Sequence, residues 1–128
     1  MKVILDTHTL LWAIINPELL SRKASRILED GTTDVVISAA SAWEIATKVR
    51  LGKLPRAEAF EHDFVRTIND LGYELLSIDT ETALRAGRFS AAHGDPFDRM
   101  IAAQALALDI PIVSKDRQLD QFGIRRIW

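Results

Sequence analysis

An α/β fold built around a mostly parallel sheet is what this sequence predicts, on three observations. Short apolar runs alternate with segments of helical period along the whole chain, the pattern of strand–helix–strand units joined by right-handed crossovers. The first run, residues 3–5, is continuously apolar, which suits a strand buried on both faces of a parallel sheet. Finally, 128 residues that are 48% hydrophobic and 27% charged are enough for one core, so residues 1–128 are read as a single domain.

Taken in order, the strand at 3–5 is followed by helical segments expected over 7–15 and 17–28. The second has Asn16 as its cap, Pro17 in its first turn, and Leu20, Ala24, Ile27 and Leu28 along one face. Asp30-Gly31-Thr32-Thr33 reads as a turn into a second strand over 35–37. Ser41 and Glu44 fit a capping box that opens a helix running through Ala46 to Leu51, where Gly52 and Pro55 stop it. Phe60, Phe64, Val65, Ile68 and Leu71 keep the helical period over 57–71, and Gly72 ends it. A third strand is expected over 73–78, then a helix over 82–92 capped by Asp79. Gly94-Asp95-Pro96 interrupts the chain before a helix over 97–108. Residues 110–113 form a short strand, and 124–128 alternate apolar and basic as an edge strand does.

The chain has no cysteine, which excludes disulfides, thiolate zinc sites and cysteine nucleophiles and suits a reducing cytoplasm. Asp6 interrupts the first apolar run too early for a secretory signal. The longest stretch without Asp, Glu, Lys or Arg, residues 7–17, falls short of the roughly 20 residues that cross a bilayer, so no membrane partner is expected. A net charge of −2 and a pI near 5.9 argue against gripping nucleic acid by overall charge alone. Local basic clusters remain, notably Lys48, Arg50, Lys53 and Arg56, which suit either an RNA backbone or the C-terminus of their own helix. No Gly-rich phosphate loop, G-x-S-x-G elbow or dinucleotide fingerprint is present.

In an open α/β sheet, ligands bind beyond the carboxyl ends of the strands, where strand order reverses. Four segments deliver acids there: Asp6 just past the first strand, Glu44 in the first turn after the second, Asp95 and Asp98 at the helix before residue 110, and Asp116 after the strand at 110–113. Singly, each has a structural reading as a cap, a first-turn acid or a turn residue. Together, without a cation, they raise one another's pKa and cost stability. A divalent metal removes that cost, and magnesium or manganese with oxygen ligands would serve phosphodiester hydrolysis through an activated water.

Four stretches now carry a resemblance over the whole chain: LDTHTLLW at 5–12, SAWEIATKVRLGKLP at 41–55, HGDPFDRMIAAQA at 93–105 and IVSKD at 112–116. In this order and spacing the sequence resembles the PIN-domain ribonucleases, and within them the VapC-type toxins of toxin–antitoxin pairs. The resemblance implies a three-layer sandwich with a five-stranded, mostly parallel sheet between helices. It also implies an endoribonuclease that cuts RNA with one or two Mg²⁺ or Mn²⁺ ions. Carried over position by position, it assigns catalytic and metal-holding roles to Asp6, Glu44, Asp98 and Asp116, with Asp6 and Asp98 first for direct ligation. Ser114 is the hydroxyl residue before the late acid, and Asp95 is a helix cap first and a ligand second. The partners implied are RNA, a homodimer mate and a small VapB-like antitoxin whose C-terminal segment covers the acidic pocket. Among Leu10, Leu11, Trp12, Ile14 and Ile15, Trp12 is the first choice for a dimer or antitoxin surface.

Other residues admit two readings. His8, His62 and His93 lie in unrelated segments without ligand spacing, so none is expected to bind metal, although His8 is close enough to Asp6 to support the site or touch substrate. Thr7 and Thr9 either contact phosphate or cap the helix. Arg99 either contacts phosphate or pairs with Asp95. Two other function classes are a non-catalytic interaction module whose acids are caps, and a metal-dependent phosphatase. The latter lacks the D-x-D nucleophile pattern, because His8 stands where its second acid belongs.

Overall fold

Val3, Ile4 and Leu5 have no exposed surface, so the first strand, β1 (Lys2–Leu5), has no solvent face. In the computed structural model, which describes all residues 1–128, β1 is the middle strand of a five-stranded sheet. The others are β2 (Asp34–Ser38), β3 (Glu74–Leu76), β4 (Ile112–Val113) and β5 (Arg126–Ile127). Their order is β3-β2-β1-β4-β5, every neighbour parallel, with Ile4 opposite Val36 on one side and Ile112 on the other.

Alternate side chains of these strands feed two cores. Val3, Leu5, Val35, Ile37 and Val113 face α1 (Thr7–Ile15), α2 (Arg22–Glu29), α4 (Glu58–His62) and α5 (Phe64–Asp70), where Leu10, Ala24, Phe60, Phe64 and Ile68 bury. Ile4, Val36 and Ile112 face α7 (Pro96–Leu108) and a 3-10 turn over Arg117–Phe122, meeting Ile101, Ala102, Ala105, Leu119 and Phe122. The helix α3 (Ala39–Arg50) gives Ala40 to this second core and Ile45 to the first, while α6 (Thr80–Arg88) packs on α7. The predicted α/β sandwich is therefore the observed one.

Several boundaries differ from the sequence reading, each for a local reason. Residues 17–28 are not one helix: a 3-10 turn, Pro17–Leu19, ends where Leu20 turns extended, and the Ser21 hydroxyl accepts from Ala24 N to start α2. Asn16 caps nothing with its side chain, which instead donates to Glu18. The Ser41–Glu44 capping box does not form, because β2 runs straight into α3 and the Ser38 hydroxyl takes the cap, accepting from Ala40 N at 2.9 Å. The segment 57–71 breaks at Asp63, whose backbone leaves the helical region, and this divides it into α4 and α5. Asp79 does cap, accepting from Thr82 N at 2.8 Å, but α6 spans Thr80–Arg88 rather than 82–92. At the end of α7, Asp109 adopts the left-handed conformation and sends Ile110 N back to Ala105 O, so β4 begins only at Ile112.

From β1 the chain builds outward through β2 and β3, then crosses to β4 and β5 on the other side. Strand order thus reverses between β1 and β4, and Asp6 and Ser114 directly follow those two strands.

Candidate metal centre

Asp6 follows β1 with 3% of its surface exposed, and its two oxygens have separate tasks. Oδ1 caps α1 by accepting from Thr9 N at 2.9 Å. Oδ2 accepts from the hydroxyl of Ser114, which is fully buried. The same Ser114 oxygen accepts from Asp116 N at 3.0 Å, so one hydroxyl joins the loops after β1 and β4. Nearby hydroxyls fasten these elements: Thr9 Oγ1 donates to Val113 O at 2.9 Å, and Thr7 Oγ1 lies 3.0 Å from Ser41 Oγ. Thr7 is buried in that contact between α1 and α3, not displayed towards a phosphate. Asp6, His8, Trp12, Lys115 and Asp116 line a cavity of about 300 Å³.

Asp98 arrives from the start of α7. Asp95 caps that helix, accepting from Phe97 N at 2.9 Å and Asp98 N at 3.1 Å, with Pro96 in the first turn. The Asp98 Oδ2 atom lies 2.8 Å from His93 Nε2. His93, Asp98 and Asp116 each offer a ligand atom within 4.8 Å of the others. Burial pushes the Asp98 carboxyl up to about 6; the charges of Asp95 and Asp6 add to the rise, and His93 opposes it. This group is therefore strained as an anion, and a cation beside it would relieve the strain. Asp116 itself caps the 117–122 turn by accepting from Gln118 N at 2.9 Å.

Glu44 is buried on α3, and its Oε2 meets Lys48 Nζ at 2.5 Å, one turn further along the helix. Of the four acids singled out, the structure brings Asp98 and Asp116 together, ties Asp6 to Asp116 through Ser114 and a shared cavity, and pairs Glu44 with Lys48. Lys48→Met is expected to destabilise the protein by about 1–3 kcal/mol, because it leaves a buried carboxylate unpaired. The effect stays below that of a fully buried pair because the Lys48 side chain is 34% exposed, and urea unfolding measures it.

Two residues make contacts that the sequence reading did not name. Arg99 neither pairs with Asp95 nor faces open solvent; it donates to backbone carbonyls at the end of α6 and in the α6–α7 connection. His93, expected not to bind metal, is hydrogen-bonded to Asp98. Its only signal was its place five residues before Asp98, in a loop whose path local pattern does not specify. Beside the acidic cavity, a second cavity of about 240 Å³ shares His8 and Trp12 and is walled by Leu54, Lys53 and Arg56. The Trp12 ring leans on Trp128 at 5.7 Å and on His8 at 6.1 Å, while Leu10 and Leu11 are part of the core.

Carboxylate oxygens brought close together, one of them on a carboxyl destabilised by its own burial and backed by the His93 imidazole, form a donor set that fits a divalent cation. Residues 3–124 match the family model of the PIN domain. Over 125 residues the chain is 31% identical to Ribonuclease VapC22 of Mycobacterium tuberculosis (strain ATCC 25618 / H37Rv), covering 91% of this chain and 88% of that protein. The fold is similar to VapBC2 from Rickettsia felis, solved bound to a DNA fragment from their promoter, with TM-score 0.73, 16% identity, and 99% and 98% of the two chains covered. It is also similar to FitAcB from Neisseria gonorrhoeae, with TM-score 0.68, 20% identity, and 98% and 96% covered.

Proposed function

Because this chain belongs to the PIN-domain family, we propose that it is a metal-dependent endoribonuclease that acts as the toxin of a toxin–antitoxin pair. The observation that carries the reading is the gathering of Asp6, Asp98 and Asp116 at the point where strand order reverses, with Asp98 held unfavourably charged until a cation joins it. Asp6 and Asp98 are the first choices to hold Mg²⁺ or Mn²⁺, with Asp116 beside them. Glu44, whose Oε2 pairs with Lys48, completes the set of four acids. When bound, such an ion lowers the pKa of a water and offsets the charge of the phosphate it attacks.

The chain's own residues prepare the site. Ser114 occupies one oxygen of Asp6 and His93 one oxygen of Asp98, which fixes the planes of both carboxylates. Lys115 on the cavity wall, and Lys53 and Arg56 in the adjoining cavity, offer positive charge to the RNA backbone. The expected partners are RNA, a second copy of the chain and a VapB-like antitoxin, a proposal supported by the toxin–antitoxin complexes among the structural relatives. A reducing cytoplasm suits a cysteine-free chain, and no helix here is long and apolar enough to cross a membrane.

The test is RNA incubated with purified protein, with and without divalent ions. Cleavage should need Mg²⁺ or Mn²⁺, stop with EDTA, and leave a small phosphate ester intact. Hydrolysis of the ester without RNA cleavage would instead mark a phosphatase. By linkage, Mn²⁺ at about a hundred times its Kd should stabilise the fold by about 2.7 kcal/mol, a thermal shift that a non-catalytic interaction module would not show.

A further inference from the structure

Asp98 and Arg99 are neighbours on α7, and consecutive helical side chains diverge by about 100°. Asp98 thus turns to the acidic cluster while Arg99 turns back to α6 and the connection that follows it. There the guanidinium donates to the carbonyls of Ala86 at 3.0 Å, Phe89 at 2.6 Å, Ala91 at 3.1 Å and His93 at 2.9 Å, with a longer contact to Gly87 at 3.4 Å. It lies between aromatic faces, 5.8 Å from the Phe89 ring centre and 5.9 Å from that of Phe122. Phe122 in turn flanks the His93 ring at 5.9 Å. His93 is consequently held at both ends: its backbone by Arg99, its imidazole by Asp98 at 2.8 Å.

We propose that Arg99 is a positioning residue for the metal centre, which gathers the carbonyls of the α6–α7 connection so that His93 is fixed against one oxygen of Asp98. The proposal rests on the metal-dependent reading above. Its physical basis is that a carboxylate holding a cation keeps its orientation through hydrogen bonds to groups behind it, and loss of such a partner costs about 10- to 100-fold in metal affinity. Only a planar fork with five N–H donors can serve so many carbonyls at once; lysine preserves the charge but not the fork.

Mn²⁺ binding measured by calorimetry on the full chain tests this without any turnover. Arg99→Lys should weaken Mn²⁺ binding by about 10- to 100-fold, and His93→Ala by a similar factor. The double variant should bind no more weakly than His93→Ala alone, because Arg99 acts through His93. Wild-type affinity in Arg99→Lys, or losses that simply add, would overturn the proposal. Should Arg99→Lys not fold, His93→Ala decides by itself: undiminished Mn²⁺ affinity there refutes the role. Failure of the unmodified protein to bind Mn²⁺ would overturn the metal reading itself, a result distinct from unchanged binding in the variants alone.

Discussion

Asp98→Asn is expected to lower metal-dependent RNA cleavage by about 10²–10³-fold, the scale of losing one preorganised electrostatic group, and to make the metal-free protein more stable. The two effects share a cause. Asp98 is charged at neutral pH against the preference of its surroundings, since burial, Asp95 and Asp6 all push its pKa up to about 6. A folded pKa above the unfolded one means that the native state binds the proton more tightly. The stability this gives is fully present below the unfolded aspartate value of roughly 4 and is lost as pH rises through about 6. At pH 7 the ionised group therefore costs the metal-free fold on the order of 2–3 kcal/mol. The neutral amide removes that cost and can keep a hydrogen bond to His93. In the metal-free protein, the variant's advantage in melting temperature over the wild type should grow between pH 4 and pH 7. Mn²⁺ should then raise the wild type more than the variant. Cleavage at the wild-type rate by Asp98→Asn would remove Asp98 from the mechanism.

Ser114→Ala should cost about 1–3 kcal/mol in denaturant unfolding, because a buried carboxylate oxygen and a backbone N–H lose their shared partner together. Its functional effect should be of the order of 10- to 100-fold in metal affinity, like that of other groups that orient a ligand. The reason is geometric. Asp6 has one oxygen tied to Thr9 N, and without Ser114 the other is free to turn away from Asp116. A variant that loses stability but binds Mn²⁺ like the wild type would reduce Ser114 to a structural role.

The legible part of the fold was the part written in local periodicity. The unbroken run at 3–5, the helical spacing around Asp98 and the capping acids Asp79 and Asp95 depend on neighbours only a few residues away, and each behaves in the structure as expected. At the start of α3 the local pattern favours a Ser41–Glu44 box, yet the Ser38 hydroxyl takes the cap. The decision came from where β2 ends, which is a matter of sheet pairing. The same limit explains the site. Asp6, Asp98 and Asp116 could be placed at one sheet edge by topology rules, yet His93 could not, because its loop owes its shape to carbonyl contacts with Arg99 rather than to any repeat.

By itself, then, the sequence determined the alternation of buried strands and helices and the acids at their ends, because hydrophobic period and capping chemistry act over a few residues. Only the tertiary structure decided which of those ends meet. The order β3-β2-β1-β4-β5 lays β1 beside β4 and so puts Ser114 on Asp6, 108 positions away. It also turns Arg99 inward as the clasp behind His93. Those contacts join segments far apart in the chain or backbone groups without side-chain identity, and neither leaves a mark in residue spacing.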